Sequence, residues 1–402
     1  MSTTRTSIIG TVTDWLVAFA LASFAVMVHA APYVPKDDSV VLEHLPVRPN
    51  DPVARELRQL RAQLAANPRD RAVAIRLAER YFALANSEGD PRYVGYAEAA
   101  LKPWWDLAAP PLDARVMRAV LKQYSHDFPG AMQDLVAATR EDPENARAWS
   151  WRAAIDMVQA NYEQARKDCL ALKDIETDLF AVGCLAYLDG TTGNAAAAYR
   201  ALSEAFARAD EKSPEIRVWV LTRLAEMSLR MGNVKQAEEH FRAAYLEPIN
   251  DQFLLGAYSD FLLDQGRTDE VIPLLVDWFR SDILLLRLAI AEKALKSPKA
   301  SEHIEALRSR FEAAALRGDK LHQQEEARFN LTLLGNKEKA LALAQENWTL
   351  QREPRDARIL LEAALAMKDP AAAQGALEWL ERSGHEDPAL RQTAEKLKAL
   401  RR

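Results

Sequence analysis

The chain has 402 residues, 49% apolar and 27% charged, with a net charge of −6. That composition supports a large hydrophobic core and disfavours nucleic acid as a partner, which would need a basic footprint. Arg5 and Asp14 cancel within the first thirty residues, so the remainder keeps the same acidic balance.

Residues 1–30 have the pattern of a secretory signal: a thin positive start, the uncharged run Trp15 to Val28, and small residues in Val28-His29-Ala30. Cleavage is expected after Ala30, which places the body in the periplasm. The run is shorter than the roughly 20 residues of a membrane span. The alternative is an uncleaved amino-terminal anchor in the inner membrane with the body facing the periplasm. No cysteine lies near the cut, which argues against a lipid-modified amino terminus, and no later segment has the composition of a span. Residues 31–50 form a Pro-rich extended lead in which Val40, Val41, Leu42 and Leu45 are apolar. Two readings of the lead stand side by side, a flexible tether and a segment packed on or in the helical body.

From Asp51 the chain is helical in pattern almost to its end. Asp51-Pro52 is a helix start, and Leu57, Leu60 and Leu64 share one face of a leading helix within 51–69. Beyond it the sequence keeps a beat: Gly232 and Gly266 are 34 residues apart, Gly335 follows 69 later, and Asp369 stands 34 beyond that. Each lies between two runs of helical apolar spacing. A period of 34 is the length of one helix-turn-helix repeat, so residues 70–388 are expected to form about nine helix hairpins in an all-α, right-handed superhelical solenoid. Residues 389–402 are expected to cap it with a final helix. Four units depart from the pattern. Residues 71–111 carry an insertion around 87–96 and a Trp104-Trp105 pair, and 180–217 carries extra residues near Asp210. In 286–320 Ser297-Pro298 replaces the turn glycine, and 355–388 has Gln374 at a small-residue slot.

Within these units the chain resembles the tetratricopeptide repeat family. Ala119, Ala131, Leu135, Ala138 and Pro143 fill that family's slots in 112–145, and Trp149, Ala153, Ala165 and Cys169 fill them in 146–179. Leu221, Leu224, Ala225, Ala237, Phe241 and Ala244 do so in 218–251; Leu255, Tyr258, Ser259, Leu262, Leu275 and Trp278 in 252–285, with Val271 at an Ala slot; Ala327, Leu331, Ala340 and Ala344 in 321–354. Small residues let helices approach and large ones fill the gaps between them. The segments 89–101, 284–292 and 347–358 also resemble exported bacterial repeat proteins of unassigned role, a group with no activity to transfer. In the repeat frame Cys169 and Cys184 fall on neighbouring helices, which makes them a disulfide candidate in an oxidising compartment; the other reading is two buried small hydrophobes.

No nucleotide-binding, hydrolase or zinc motif is present, and an enzyme, a cofactor and a metal site are not expected. The His322, Glu325 and Glu326 group is read as a charged helix face rather than a metal site. Asn347, Trp348, Gln351, Arg352, Arg355 and Asp356 straddle a helix junction, where local pairing and ligand contact are both open. Trp149 is assigned to a core slot; Trp104, Trp105 and Trp151 are assigned to packing under the inserted loop at 87–96, the other reading being exposed rings that stack on a glycan. The resemblance implies that the first helix of each unit lines a concave groove. That assigns Trp219, Glu226, Arg230, Phe253, Asp260, Asp264, Arg287, His322, Glu325 and Phe329 to a partner-binding groove, with aromatic and Arg anchors of the kind that dominate interfaces. The competing reading makes the aromatics core and pairs the charges among themselves. The expected function is an exported, non-catalytic scaffold for a protein or peptide partner, with no nucleic acid. The alternative is a glycan- or envelope-polymer-associated assembly factor, and membrane contact arises only if the amino-terminal segment is uncleaved.

Overall fold

The computed structural model describes Asp37, residues 51–210 and residues 212–400. The expected signal at 1–30 and nearly all of the expected lead lie outside the described residues. Contacts divide the chain into two units, Met1–Arg55 and Glu56–Arg402. The described residues contain α-helices and no strand. No helix among them is long and apolar enough to cross a membrane.

Helix α1 spans Pro52–Ala66. Nine hairpins follow among the described residues: α2 (Arg71–Glu88) with α3 (Arg92–Ala100), then the short α4 (Lys102–Trp105); α5 (Leu112–Tyr124) with α6 (Phe128–Glu141); α7 (Ala146–Val158) with α8 (Tyr162–Ala171); α9 (Asp178–Thr191) with α10 (Ala195–Arg208); α11 (Pro214–Arg230) with α12 (Val234–Tyr245); α13 (Gln252–Asp264) with α14 (Thr268–Leu275); α15 (Asp282–Ala294) with α16 (Ala300–Leu316); α17 (Gln323–Phe329) with α18 (Lys337–Leu350); and α19 (Pro354–Met367) with α20 (Gln374–Ser383). Helix α21 (Pro388–Ala399) buries Leu390, Ala394 and Leu397 in the same apolar cluster as Ile359 and Leu360 of α19, and so ends the stack.

The 34-residue beat has a backbone cause. Each hairpin turn holds one residue in the left-handed region: Gly89, His126, Ala160, Gly193, Gly232, Gly266, Lys296, Gly335 and Lys368. A Cβ at Gly232, Gly266 or Gly335 would meet open space, so the positive φ alone, 77°, 70° and 70°, favours glycine there. The last beat falls on Lys368 (φ 56°) rather than on Asp369. That one-residue slip also moves the small-residue slot off Gln374, and Ala373 and Ala376 are buried instead.

The small residues that carry the repeat pattern sit where helices touch. Ala119, Ala131, Ala138, Ala165, Cys169, Ala225, Ala237, Ala244, Ala327 and Ala340 are buried, and Val271 fills its Ala slot. Helix α14 is eight residues long and holds Pro273, whose missing N–H leaves a gap in its ladder, and Trp278 beyond it still packs on the core. Cys169 and Cys184 form a disulfide between α8 and α9, with their Cα atoms 5.6 Å apart. Trp149 is not in a core slot: its indole is half-exposed, donates to the Pro143 carbonyl at 2.8 Å and carries the Arg152 guanidinium 4.5 Å from its ring. Trp151 packs on the core and edge-on to Phe82. Trp104 and Trp105 are half-buried, and Arg118 holds their segment by donating to the Trp105 and Leu107 carbonyls.

Within Glu56–Arg402 the stack curves until hairpins remote in sequence meet. The turns of the third and fourth hairpins contact the eighth and ninth. The Arg352 N–H donates to the Val158 carbonyl at 2.7 Å, and the Trp379 indole donates to the Tyr162 hydroxyl at 2.8 Å. The Ala195 N–H donates to the Glu386 carboxylate at 2.8 Å, and His385 Nδ1 to the Thr191 carbonyl at 2.9 Å. Gly193 lies so close to Gly384 that a Cβ on Gly193 would stand 2.9 Å from the Gly384 oxygen.

Left-handed non-glycine residues cost about 1 kcal/mol each, and Lys296 and Lys368 are exposed. Lys296→Gly and Lys368→Gly are each expected to raise unfolding free energy by about 1 kcal/mol, read from urea denaturation midpoints at unchanged slope. Midpoints that fall in both variants would contradict this origin of the beat.

Candidate functional site: the inner face of the solenoid

The first helices of successive hairpins, α9, α11, α13, α15, α17 and α19, turn one face to the inside of the curve. Side chains there come within reach of each other across several hairpins. Asp260 on α13 accepts from Arg287 on α15 at 2.6 Å and from Arg328 on α17, also at 2.6 Å. Asp264, one turn further along α13, takes both arms of the Arg358 guanidinium from α19 at 2.6 and 2.7 Å, and Arg358 also donates to Glu362 at 2.8 Å. Asp264 and Arg358 are 94 residues apart, with two first helices between them. In a wide groove such residues would reach only the adjacent helix, so these pairs measure how tightly the inner face closes.

The Arg287 guanidinium is buried, and each of its three nitrogens donates. It donates to the Gly256 carbonyl at 3.2 Å, to the Ile283 carbonyl at 2.8 Å and to Asp260. Burial works to raise the Asp260 pKa, but the Arg287 and Arg328 guanidiniums outweigh it and hold the carboxyl well below the usual carboxylate range. A second group gathers where α19 begins. Glu353 and Asp356 form a reciprocal capping box, and Asp356 also accepts from the Asn347 amide at 2.9 Å. Burial pushes Asp356 up to about 7 against the attraction of Arg355. Glu353 accepts from Arg355 at 2.7 Å and from the Tyr187 hydroxyl at 3.4 Å; burial raises it, and Arg355 and Arg223 hold it down. His126 lies 3.3 Å from the Gln351 amide, and burial, with Arg355 nearby, pushes its pKa down to about 4.

A third feature is stacked rather than paired. The Arg223 guanidinium stands between the Tyr187 and Phe253 rings, 4.4 Å from each centroid, and donates to Glu226 at 2.7 Å. These residues come from three successive hairpins.

The structure thus sorts the ten groove candidates. Glu226, Asp260, Asp264 and Arg287 are joined in inner-face ion pairs. Phe253 retains 39% exposure under Arg223. Trp219 is half-buried over Gly183, where a Cβ would come within 2.6 Å of its ring. Arg230 is buried without an ion-pair partner among the described residues. His322 precedes α17 instead of sharing a helix face with Glu325, although its Nδ1 is 3.9 Å from the buried Glu325 carboxylate. Phe329 departs from the expectation. It is 2% exposed in the apolar core, 5.3 Å from the Phe311 ring, because α17 starts only at Gln323, runs seven residues and passes into a π turn, so the regular repeat frame does not set its facing. Tyr187, Arg223, Arg328, Glu353 and Arg358 belong to the inner network and fall outside the ten. Arg223 and Arg328 could have been found as the basic residues beside the groove positions; Glu353 and Arg358 reach the site only through the curvature. Among the described residues no group of three or more His, Cys, Asp and Glu is placed to hold a metal ion.

Removing the Asp260 carboxylate strands two guanidiniums, one of them buried. Asp260→Asn is expected to cost about 2 to 3 kcal/mol at pH 7, discounted from the fully buried case because Asp260 keeps 25% side-chain exposure. The folded pKa is depressed, so this stability is present above the unfolded value near 4 and is lost as pH falls toward the folded one. Melts of both proteins should therefore converge on acidification below about pH 4; a gap that stays constant to pH 2, or no gap at pH 7, would contradict the pairing.

No family model and no curated protein matches the chain. Solved structures that it resembles include tetratricopeptide repeat proteins. A repeat protein from Parabacteroides merdae is 14% identical, with 81% of this chain and 99% of that chain covered at a TM-score of 0.32. Yeast Tom70 is 15% identical, with 90% and 67% covered at 0.32, and the P58(IPK) TPR domain is 15% identical, with 87% and 98% covered at 0.22.

Proposed function

We propose that the chain is an exported, non-catalytic scaffold that binds a protein or peptide segment at the inner side of its solenoid. The Tyr187–Arg223–Phe253 stack carries this reading. It joins the residue types that dominate binding energy at interfaces, and it leaves Phe253 part-exposed where the charges further along the face are already paired. Partner contact then concentrates at the Phe253 end of the inner face, and Arg287 and Asp260 serve as braces beneath it. Export rests on the signal pattern of residues 1–30, with delivery to the periplasm by cleavage after Ala30 or by retention as an inner-membrane anchor. The Cys169–Cys184 bridge agrees with an oxidising compartment. An envelope polymer would need an open aromatic platform. Trp149 is half-exposed with the Arg152 guanidinium over its ring, and Trp104 and Trp105 are half-buried in a segment that Arg118 holds, which favours the peptide reading.

The test is a photo-crosslinker at position 253 of the exported protein, followed by mass spectrometry, beside binding measurements on Phe253→Ala. A single crosslinked protein, and at least about tenfold weaker binding of it by Phe253→Ala with helicity and melting temperature retained, are expected. Unchanged affinity would remove the inner face as the contact surface.

A further inference from the structure

The contact between remote hairpins encloses a cleft of about 500 Å³, within the range of small-molecule sites. Its walls are Tyr162 from the start of α8, Trp348 and Arg352 around the end of α18, and Trp379 and Arg382 from α20. Residue 375 must be glycine for Trp348 to sit where it does: a Cβ there would stand 2.8 Å from the Trp348 indole nitrogen. Trp379 is fixed as a floor, 4% exposed, with its indole N–H on the Tyr162 hydroxyl and its ring 6.0 Å from Trp348, edge to face. The part-exposed Trp348 and Tyr162 rings remain as apolar walls.

The polar groups of this cleft are unbalanced. No carboxylate lines it. Arg352 and Arg382 are exposed; among the described residues the Arg352 guanidinium donates to the Trp348 carbonyl alone, at 3.3 Å, and Arg382 has no ion pair. The two guanidiniums at the mouth present planar donor forks to an oxyanion.

We propose that this cleft binds a small molecule that combines a flat aromatic body, held by Trp348 and Tyr162, with an oxyanion held by Arg352 and Arg382. The site is separate from the Tyr187–Arg223–Phe253 stack, so it stands whether or not the inner face takes a peptide. Because its walls come from both sides of the contact between remote hairpins, occupancy would also clasp that contact.

Calorimetric titration of the full chain with phenyl phosphate, inorganic phosphate and benzyl alcohol separates the parts of the ligand. Phenyl phosphate is expected to bind at least about tenfold tighter than either of the others and to raise the melting temperature. Arg382→Gln, on an exposed side chain, is expected to weaken phenyl phosphate by about tenfold or more. Arg308→Gln, on the exposed Arg308–Glu305 pair of α16, serves as the control and should leave it unchanged. No binding of phenyl phosphate, equal binding of phenyl phosphate and inorganic phosphate, or an Arg382→Gln variant that binds like the parent would overturn the assignment.

Discussion

Asp260 is held by guanidiniums from two other hairpins, and the curvature of the whole stack is written into that arrangement. Bringing successive first helices close on the inside of a curve takes their charged side chains out of water. Each charge must then find a partner or the curve must open. Here the partners are found by reaching past neighbours, as Arg328 reaches past α15 and Arg358 past α15 and α17. The small residues at the helix contacts permit the approach, and the ion pairs make it tolerable. Neither alone would give this inner face: alanines without the pairs would bury bare charge, and the pairs without the alanines could not meet.

The same closeness explains why hairpins remote in sequence touch. Once the inner face is narrow, the turns of the third and fourth hairpins arrive at the start of α19 and the end of α20. The contact there is polar and specific. It uses backbone donors and acceptors, the paired glycines 193 and 384, and one histidine that burial pushes down to about 3. Burial and the nearby Arg230 charge favour the neutral imidazole, against the Thr191 carbonyl, which favours the protonated one. The structure therefore uses its concave side twice, for its own closure over most of its length and, as proposed, for a partner near Phe253.

How much of this could be read from the chain depends on the range of the interaction. The hairpins were legible because their signals are local: turn glycines at Gly232, Gly266 and Gly335, and alanines twelve residues apart across a turn (Ala119 and Ala131, Ala225 and Ala237) and seven apart along a second helix (Ala131 and Ala138, Ala237 and Ala244). Where the left-handed turn residue is His126, Ala160, Lys296 or Lys368, composition carries no such signal, and the beat is lost or shifts by one residue. The pairing of Cys169 with Cys184 was legible once the repeat frame set their helices side by side. Trp149 was not, since a large residue at a core slot does not reveal that its indole N–H will turn outward to the Pro143 carbonyl. The groove positions were partly legible: the frame found Asp260, Asp264 and Arg287, but not that Arg328 and Arg358 would complete them. Contacts over 94 residues at Asp264–Arg358 and 191 at Ala195–Glu386 leave no periodic trace.

The claim that the inner face is closed by charge pairs skipping whole hairpins is tested most directly by a double-mutant cycle on Asp264 and Arg358. Unfolding free energies of Asp264→Asn, Arg358→Gln and the double variant should show a coupling of about 1 kcal/mol, modest because both side chains are over a third exposed. Additivity within about 0.3 kcal/mol would mean that the two residues do not meet in solution and that the inner face stands open.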